Sequence, residues 1–379
     1  MRDFEAIVPV YQTLSFWDLV DPGSNYWQSY FPFSAASGAW TFSGRVALHV
    51  GLRTLGLPAG STILVPNYFQ GVEIDTLLHN GFKLRFYRIG KGLEIDLDSA
   101  ADGFDETVSA FYVIHYFGWP QRMNPIVAFC RERGLKLIED CALALFSRDG
   151  DEWLGSRGEI AIYSQYKTLP LPHGGFLVAP RSGGHNDLVA PPLSSTVRQL
   201  TDLIQQDMRA SGWAGPERWL RSVVTITRRM GPSPKAVGVT SGGATWDPRL
   251  LAYRASALTR ALMKTAYPDR VISSRRRNYL YLRDRLEGRI ESPLPELPEG
   301  VCPLFFPVMV KDKPAVIEQL AARGVGSVNL WWEPHPACPE KMAREVQHLR
   351  LGLLELPIHQ SLSLEDVDLV ADAFLDVIN

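Results

Sequence analysis

The chain has 379 residues carrying 39 basic and 41 acidic side chains, a net charge of −2 with histidine neutral. That length exceeds one compact core and sets two domains as the starting expectation, while the near balance of charge argues against a nucleic-acid surface. No uninterrupted apolar run approaches the roughly 20 residues of a membrane span, and Met1–Glu5 has no basic region ahead of an apolar stretch, so a cytoplasmic protein is expected. Cys130, Cys141, Cys302 and Cys338 lie far apart without C-x-x-C spacing. They read as reduced core thiols rather than a disulfide frame or zinc site, and no metal is expected.

Helix and strand patterns alternate through the first half. Ser43-Gly44 is a small polar turn that opens an apolar-periodic helix over 45–55. Helix N-termini bind anions through free N–H groups and the dipole, although Ser-Gly is also an ordinary cap. The turn Pro58-Ala59-Gly60 leads to a strand over 62–65, then a helix over 72–79 and strands over 84–87 and 108–114. A helix over 125–133 precedes Leu135-Lys136-Leu137-Ile138-Glu139-Asp140, a short buried strand that ends in a carboxylate. The apolar run Ile160-Ala161-Ile162-Tyr163 then feeds Ser164-Gln165-Tyr166-Lys167 and, further on, His173-Gly174-Gly175. Such alternation predicts an α/β fold with a mostly parallel sheet covered on both faces and ligand groups at the carboxyl edge of its strands.

Asp140 and Lys167 carry the chemistry of this reading. Lys167 is read as closing a buried strand, where a lysine is costly to desolvate, so it is either solvated or chemically employed. Paired with a strand-end carboxylate, it fits pyridoxal phosphate: the amine forms a Schiff base and the carboxylate keeps the pyridine nitrogen protonated as an electron sink. Taken singly, the lysine reads as solvated and the aspartate as a structural acceptor.

From 182 to 243 the pattern changes to proline-punctuated helices rich in arginine and tryptophan, for example over 213–230. The basic segment 219–229 is weighed between an anionic membrane surface and a subunit interface or solvated helix. A long helix over 248–267 with Asp247 as its cap follows, then one over 272–286. A smaller C-terminal unit reads as a strand over 304–310, a helix over 314–322, a turn at 324–326 and a closing helix over 364–377, capped by Ser363 with Asp366 three residues on.

Read in order, several segments resemble the DegT/DnrJ/EryC1/StrS family of pyridoxal-phosphate aminotransferases. They are Ser43–His49, Leu64–Phe69, Ile114–Pro120, Ile138–Ala142, Leu154–Ser164 and Leu356–Ser363. The resemblance covers most of the chain and rests on order and spacing. It implies a fold-type-I transferase with a large three-layer cofactor domain over 1–250 and a smaller α+β domain over 251–379, usually joined in a homodimer with the active site between domains. It puts Lys167 at the Schiff base and Asp140 at the pyridine nitrogen. Ser164 and the amides of Gly44, Arg45 and Val46 would receive the phosphate, and either Tyr68 or Phe69 would stack on the ring, a contact worth roughly 0.5–1.5 kcal/mol beyond burial.

Departures from the family pattern are equally specific. Ser164 and Lys167 are separated by two residues fewer than usual. Leu143 stands where a glutamine or histidine commonly faces the cofactor's phenolic oxygen, and leucine has no donor; Gln165 or His115 is the candidate substitute. Arg45 replaces a serine or threonine at the phosphate, a change a guanidinium suits through paired charge-assisted bonds. His173 replaces an acidic residue, and the asparagine-containing loop expected within 242–253 has no clear counterpart. Trp331, Trp332, His335 and His359 are rim candidates by position, with packing the alternative. The implied reaction is transamination from an amino acid, by family habit L-glutamate, to a keto sugar or related keto or aldehyde acceptor. A lyase, a carbon–carbon bond-forming enzyme or a non-catalytic binding protein on the same fold are the alternatives.

Overall fold

The computed structural model describes residues 8–180, 187–213 and 246–378. Within them, β1 (Gly38–Thr41), β2 (Thr62–Pro66), β3 (Lys83–Tyr87), β4 (Val108–Ile114), β5 (Lys136–Asp140), β8 (Ile160–Tyr163) and β9 (Gly175–Val178) form one sheet. A two-residue hairpin, β6 (Arg148–Asp149) with β7 (Glu152–Trp153), lies between β5 and β8. The sheet order is β1-β9-β8-β5-β4-β2-β3. All pairs from β8 through β3 are parallel, and β9 and β1 join antiparallel at one edge.

The central strands show why sequence alternation is absent from them. β2 and β8 are buried at every position, as parallel strands covered on both faces must be. One cover is the helix Gly44–Thr54, which packs on β8 and β9. Gly51 sits at the contact, where a Cβ would stand 2.7 Å from Ile160 Cδ1 and 2.9 Å from Leu177 Cδ1, so a larger residue would push these methyl groups aside. The helix Met123–Arg133 covers β5 and stops at Gly134, whose left-handed backbone (φ 66°) is the usual C-terminal signal.

A second layer follows in sequence. β10 (Phe306–Met309) pairs antiparallel with β11 (Leu353–Leu356). The helices Pro268–Leu286 and Lys313–Ala322 both pack against Leu364–Ile378. The last begins as expected: Asp366 N–H donates to Ser363 Oγ at 3.2 Å, while Ser363 N–H donates to Asp366 Oδ2 at 2.8 Å. Of two buried apolar clusters, one runs from Val8 to Phe374 and joins both layers.

The continuous helix expected over 248–267 is broken. Asp247 does cap a helical turn, but that turn is the 3₁₀ segment Pro248–Ala252, and a new helix, Ala257–Leu262, starts under Ser256. The cause is a competing pairing: Val189 N–H donates to Ala252 O and Arg254 N–H to Val189 O, each at 2.9 Å, while Phe42 N–H takes Tyr253 O at 3.1 Å. Of the expected 182–243 region, the helix Leu193–Ala210 is described. The segments 219–229 and 242–245 lie outside the described residues. No described helix is long and apolar enough to cross a membrane.

Glu355 on β11 is a buried carboxylate; the Lys313 charge acts on it, and its own charge is felt by Tyr11 and Tyr68. Burial pushes its pKa up to about 7, against the smaller opposing effects of Lys313 and the Leu330 N–H. A carboxyl raised in the folded state gives its full contribution to stability below its unfolded value and loses it as pH rises through the folded one. The protein is therefore expected to lose on the order of 3 kcal/mol between pH 4.5 and pH 8 through this group. Glu355→Gln should flatten the urea midpoint over that range and exceed the parent's stability at pH 8; equal slopes in the two proteins would contradict the assignment.

Candidate active site

The parallel register gathers the candidate residues at one sheet edge. Ile114 of β4 faces Asp140 of β5, and Asp140 faces Ile162 of β8. The loops leaving β2, β4, β5 and β8 at their carboxyl ends therefore carry Tyr68 and Phe69, His115, Asp140 to Leu143, and Ser164 to Lys167. This is where an open α/β sheet binds ligands.

Successive residues of a strand point to opposite faces, which separates Glu139 from Asp140. Glu139 is fully engaged. Its Oε2 accepts from His115 Nε2 at 3.1 Å and Gly155 N–H at 3.0 Å, and its Oε1 accepts from Arg157 N–H at 2.8 Å and Gly158 N–H at 2.5 Å. Burial alone would raise its pKa, but these donors carry it below the ordinary value.

Asp140 has fewer donors. Tyr112 Oη donates to Oδ2 at 2.5 Å and Ala142 N–H to Oδ1 at 2.8 Å. Burial prevails and raises its pKa, with Tyr112, Ala142 and the Lys167 charge acting in the other direction.

Lys167 does not close a strand. It ends the 3₁₀ turn Gln165–Lys167, four residues beyond Tyr163, and is half-buried. Its charge reaches both Asp140 and Glu73. Glu73, on the first turn of the helix Val72–His79, is a group the sequence reading missed. It is buried, its Oε1 accepts from Gln70 N–H at 2.8 Å, and burial followed by the charge of Asp140 raises its pKa. A glutamate there looks from sequence like an ordinary partner of the helix dipole; only the turn at Gly71 (φ 115°) delivers it to the site.

The anion cradle is recognisable in detail. Ser43 precedes the helix Gly44–Thr54 in extended conformation and makes no side-chain cap. Its Oγ and Arg45 Nη1 are buried polar atoms without a partner among the described residues. A Cβ on Gly44 would collide with Ser164 Oγ, so the helix start and the Ser164 turn are in close approach. Free amides at a helix N-terminus, two hydroxyls and a buried guanidinium make a donor set suited to a phosphate dianion. These residues fit the phosphate of pyridoxal phosphate, while Asp140 and Lys167 fit its ring nitrogen and carbonyl carbon.

Other candidates are sorted by their partners. His115 accepts at Nδ1 from Gln121 N–H at 3.2 Å and meets Glu139 through Nε2, so both ring nitrogens are spoken for. Gln165, fully buried, leaves both amide atoms without a partner. Tyr68 meets Trp331 edge to face at 4.7 Å and Tyr116 at 5.7 Å, with its own hydroxyl unpartnered, whereas Phe69 lies against Phe86 at 5.7 Å. Leu143 is buried. His173 bridges three segments: it meets Gln199 through Nδ1 at 3.0 Å, receives Ser256 N–H at Nε2 at 3.0 Å, and stacks on Phe42 at 4.4 Å. Trp331 and His359 are buried, His359 meeting Pro9 O at 2.9 Å through Nε2, whereas Trp332 and His335 are partly buried and His335 meets Asp75 at 3.1 Å. No group of three or more metal-ligating side chains occurs among the described residues.

Comparison with known proteins places the chain among aminotransferase-like sequences and structures. Residues 34–183 match the model of the DegT/DnrJ/EryC1/StrS aminotransferase family. GDP-perosamine synthase of Vibrio cholerae is 27% identical over 140 residues, which are 36% of this chain and 38% of the relative's own length. The UDP-N-acetyl-3-dehydro-alpha-D-glucosamine 3-aminotransferase of Acidithiobacillus ferrooxidans is 24% identical over 353 residues, 89% of this chain and 83% of the relative. Among solved structures, Helicobacter pylori PseC, an aminotransferase involved in the biosynthesis of pseudoaminic acid, superposes with a TM-score of 0.64 at 17% identity, covering 91% of this chain and 87% of the other. The sugar aminotransferase CalS13 from Micromonospora echinospora gives 0.62 at 17% identity over 97% and 99%. The fold is thus the one these aminotransferases share.

The Tyr112 hydroxyl is expected to favour the ionised form of Asp140, because it donates to that form. Tyr112→Phe should destabilise the apoprotein by about 1–3 kcal/mol, more at pH 8 than at pH 5. The loss should shrink when Asp140→Asn is already present. A pH-independent loss, unchanged in the double variant, would show that the tyrosine contributes packing alone.

Proposed function

We propose that this chain, whose residues 34–183 match the model of the DegT/DnrJ/EryC1/StrS aminotransferase family, is a member of that family and a pyridoxal-phosphate-dependent aminotransferase. It would move an amino group from an amino acid, L-glutamate first among them, to a keto sugar carried on a nucleotide. The observation that carries the reading is the joint placement of Asp140, Lys167 and the unpartnered Ser43 and Arg45 atoms around one sheet edge. The sugar acceptor rests on the names of the relatives, and a homodimer on the habit of the family.

When bound, the cofactor supplies a carbonyl carbon that condenses with amines and a ring that withdraws electrons. The chain's part is to hold and to move protons. Ser43, Arg45, Ser164 and the amides of Gly44 to Val46 would hold the phosphate. Asp140, kept in place by Tyr112 and Ala142, would hold the proton on the ring nitrogen. Lys167 Nζ would take the proton from the donor's α-carbon and return it, the role of a positioned general base and acid. Tyr68 is the better candidate for the ring face, since Trp331 and Tyr116 brace it. Gln165, with its amide uncommitted, is our candidate for the donor that Leu143 does not provide.

The purified protein mixed with pyridoxal phosphate should develop a visible absorption band that L-glutamate removes. Lys167→Ala should not form that band, and Asp140→Asn should cut turnover by two or more orders of magnitude, as removal of a transition-state charge partner does. A band that persists in Lys167→Ala would defeat the assignment. A band unaffected by every amino donor, in a protein that consumes amino acids by another route, would favour the lyase alternative.

A further inference from the structure

Lys167 is carried by a turn only three residues long, and the N–H side of that turn is held locally. Lys167 N–H donates to Ser164 O at 3.1 Å, Thr168 N–H to Gln165 O at 2.9 Å and Leu169 N–H to Gln165 O at 2.8 Å. The carbonyl side is held by side chains from three distant parts of the sequence. Gln12 Nε2 donates to Tyr166 O at 3.0 Å and to Leu169 O at 2.8 Å. Gln360 Nε2 donates to Thr168 O at 2.9 Å, and Arg275 Nη2 reaches the same oxygen at 3.2 Å.

Arg275 also joins the two glutamines. Its Nε donates to Gln360 Oε1 at 2.8 Å and its Nη2 to Gln12 Oε1 at 3.1 Å, while Nη1 binds Pro303 O at 3.3 Å and Leu304 O at 2.9 Å. With the bond to Thr168 these use all five N–H groups of the guanidinium. The side chain is 1% exposed, and none of these partners is a carboxylate. Burial pulls its pKa down to about 10.

A buried cation of this kind is a poor way to gain stability, since apolar residues of similar volume usually serve as well or better. What it gives is geometry. A planar fork fixes two amides in one orientation, and those amides hold the carbonyls of Tyr166, Thr168 and Leu169 on either side of the lysine. We propose that Gln12, Arg275 and Gln360 form a positioning cradle that sets where Lys167 Nζ stands, and so couples the lysine to the N-terminal arm and to the C-terminal layer. The proposal rests on Lys167 being the residue that bears the cofactor. None of the three side chains need touch substrate; they act through the turn.

The tests are Gln12→Ala, Gln360→Ala and Arg275→Lys in the full-length chain, read in two ways. In the apoprotein, amide hydrogen exchange should rise across 164–169 in every variant while the central strands stay at the parent's level. In the cofactor-loaded protein, the visible band should shift, and kcat should fall on the order of tenfold to a hundredfold, as a misplaced reacting group does, with the KM for the amino donor changed far less. Arg275→Lys should not rescue, because one ammonium cannot span five acceptors. If Arg275→Lys does not fold, the two glutamine variants decide the matter. Exchange that is unchanged across 164–169, or raised equally throughout the chain, would overturn the cradle. Failure of the parent to form any visible band would defeat the cofactor reading instead, and leave the apoprotein exchange to judge the cradle.

Discussion

Everything at this site depends on keeping carboxylates and an amine together at the dry edge of a parallel sheet. Asp140 and Glu73 are both buried, burial raises the pKa of each, Asp140 raises that of Glu73 further, and the Lys167 charge opposes the rise in both. Two carboxylates in low dielectric cannot ionise freely beside each other; a nearby cation changes that balance. The sheet makes the arrangement rigid, because β4, β5 and β8 are hydrogen-bonded in register up to Asp140 itself. Beyond the strand ends, the loop that carries the lysine is tied by Gln12, Arg275 and Gln360.

The division of labour between Glu139 and Asp140 follows from the pleat. One residue of the pair must face each side of the sheet, and four donors hold Glu139 as an anion on its side. Asp140 receives two donors and keeps capacity to accept more, which is what a partner for a protonated ring nitrogen needs. His115 belongs to the Glu139 side of this arrangement. Its proximity in sequence to the β4 edge made it a plausible cofactor contact, but its nitrogens complete the Glu139 and Gln121 bonds.

Much of the large sheet was legible because burial on both faces writes continuous apolar runs: the helix Val72–His79 and β4 have the bounds the pattern implied. Asp140 was legible for the same reason, as the polar end of such a run. The lysine's turn was less so, since nothing local says that Tyr163 ends the strand and that three more residues coil before Lys167. The broken helix after Asp247 failed on a long-range cause, the pairing of Val189 with the 252–254 backbone. Glu73, Tyr112 and Gln12 share that difficulty. Each looks ordinary in its own segment, and its meaning comes from a residue far away in the chain.

Two buried arginines show how the layers are kept in step without salt bridges. Arg350 donates to Asn67 O at 2.9 Å through Nη2 and to Trp331 O at 2.8 Å through Nη1, so it clasps the β2 loop to the C-terminal layer. Arg275 does the same for the lysine turn. Carbonyl oxygens cannot be discharged by pH or paired with a stray cation's counter-charge, so these clasps hold across the range in which Glu73, Asp140 and Glu355 change protonation. A lysine in either place could satisfy some of the carbonyls but could not fix their mutual angles. The two loops that bracket the site, one from β2 and one from β8, are therefore referenced to the same C-terminal layer. Tyr68 and Lys167 are thus tied to one another through the C-terminal layer as well as through the sheet.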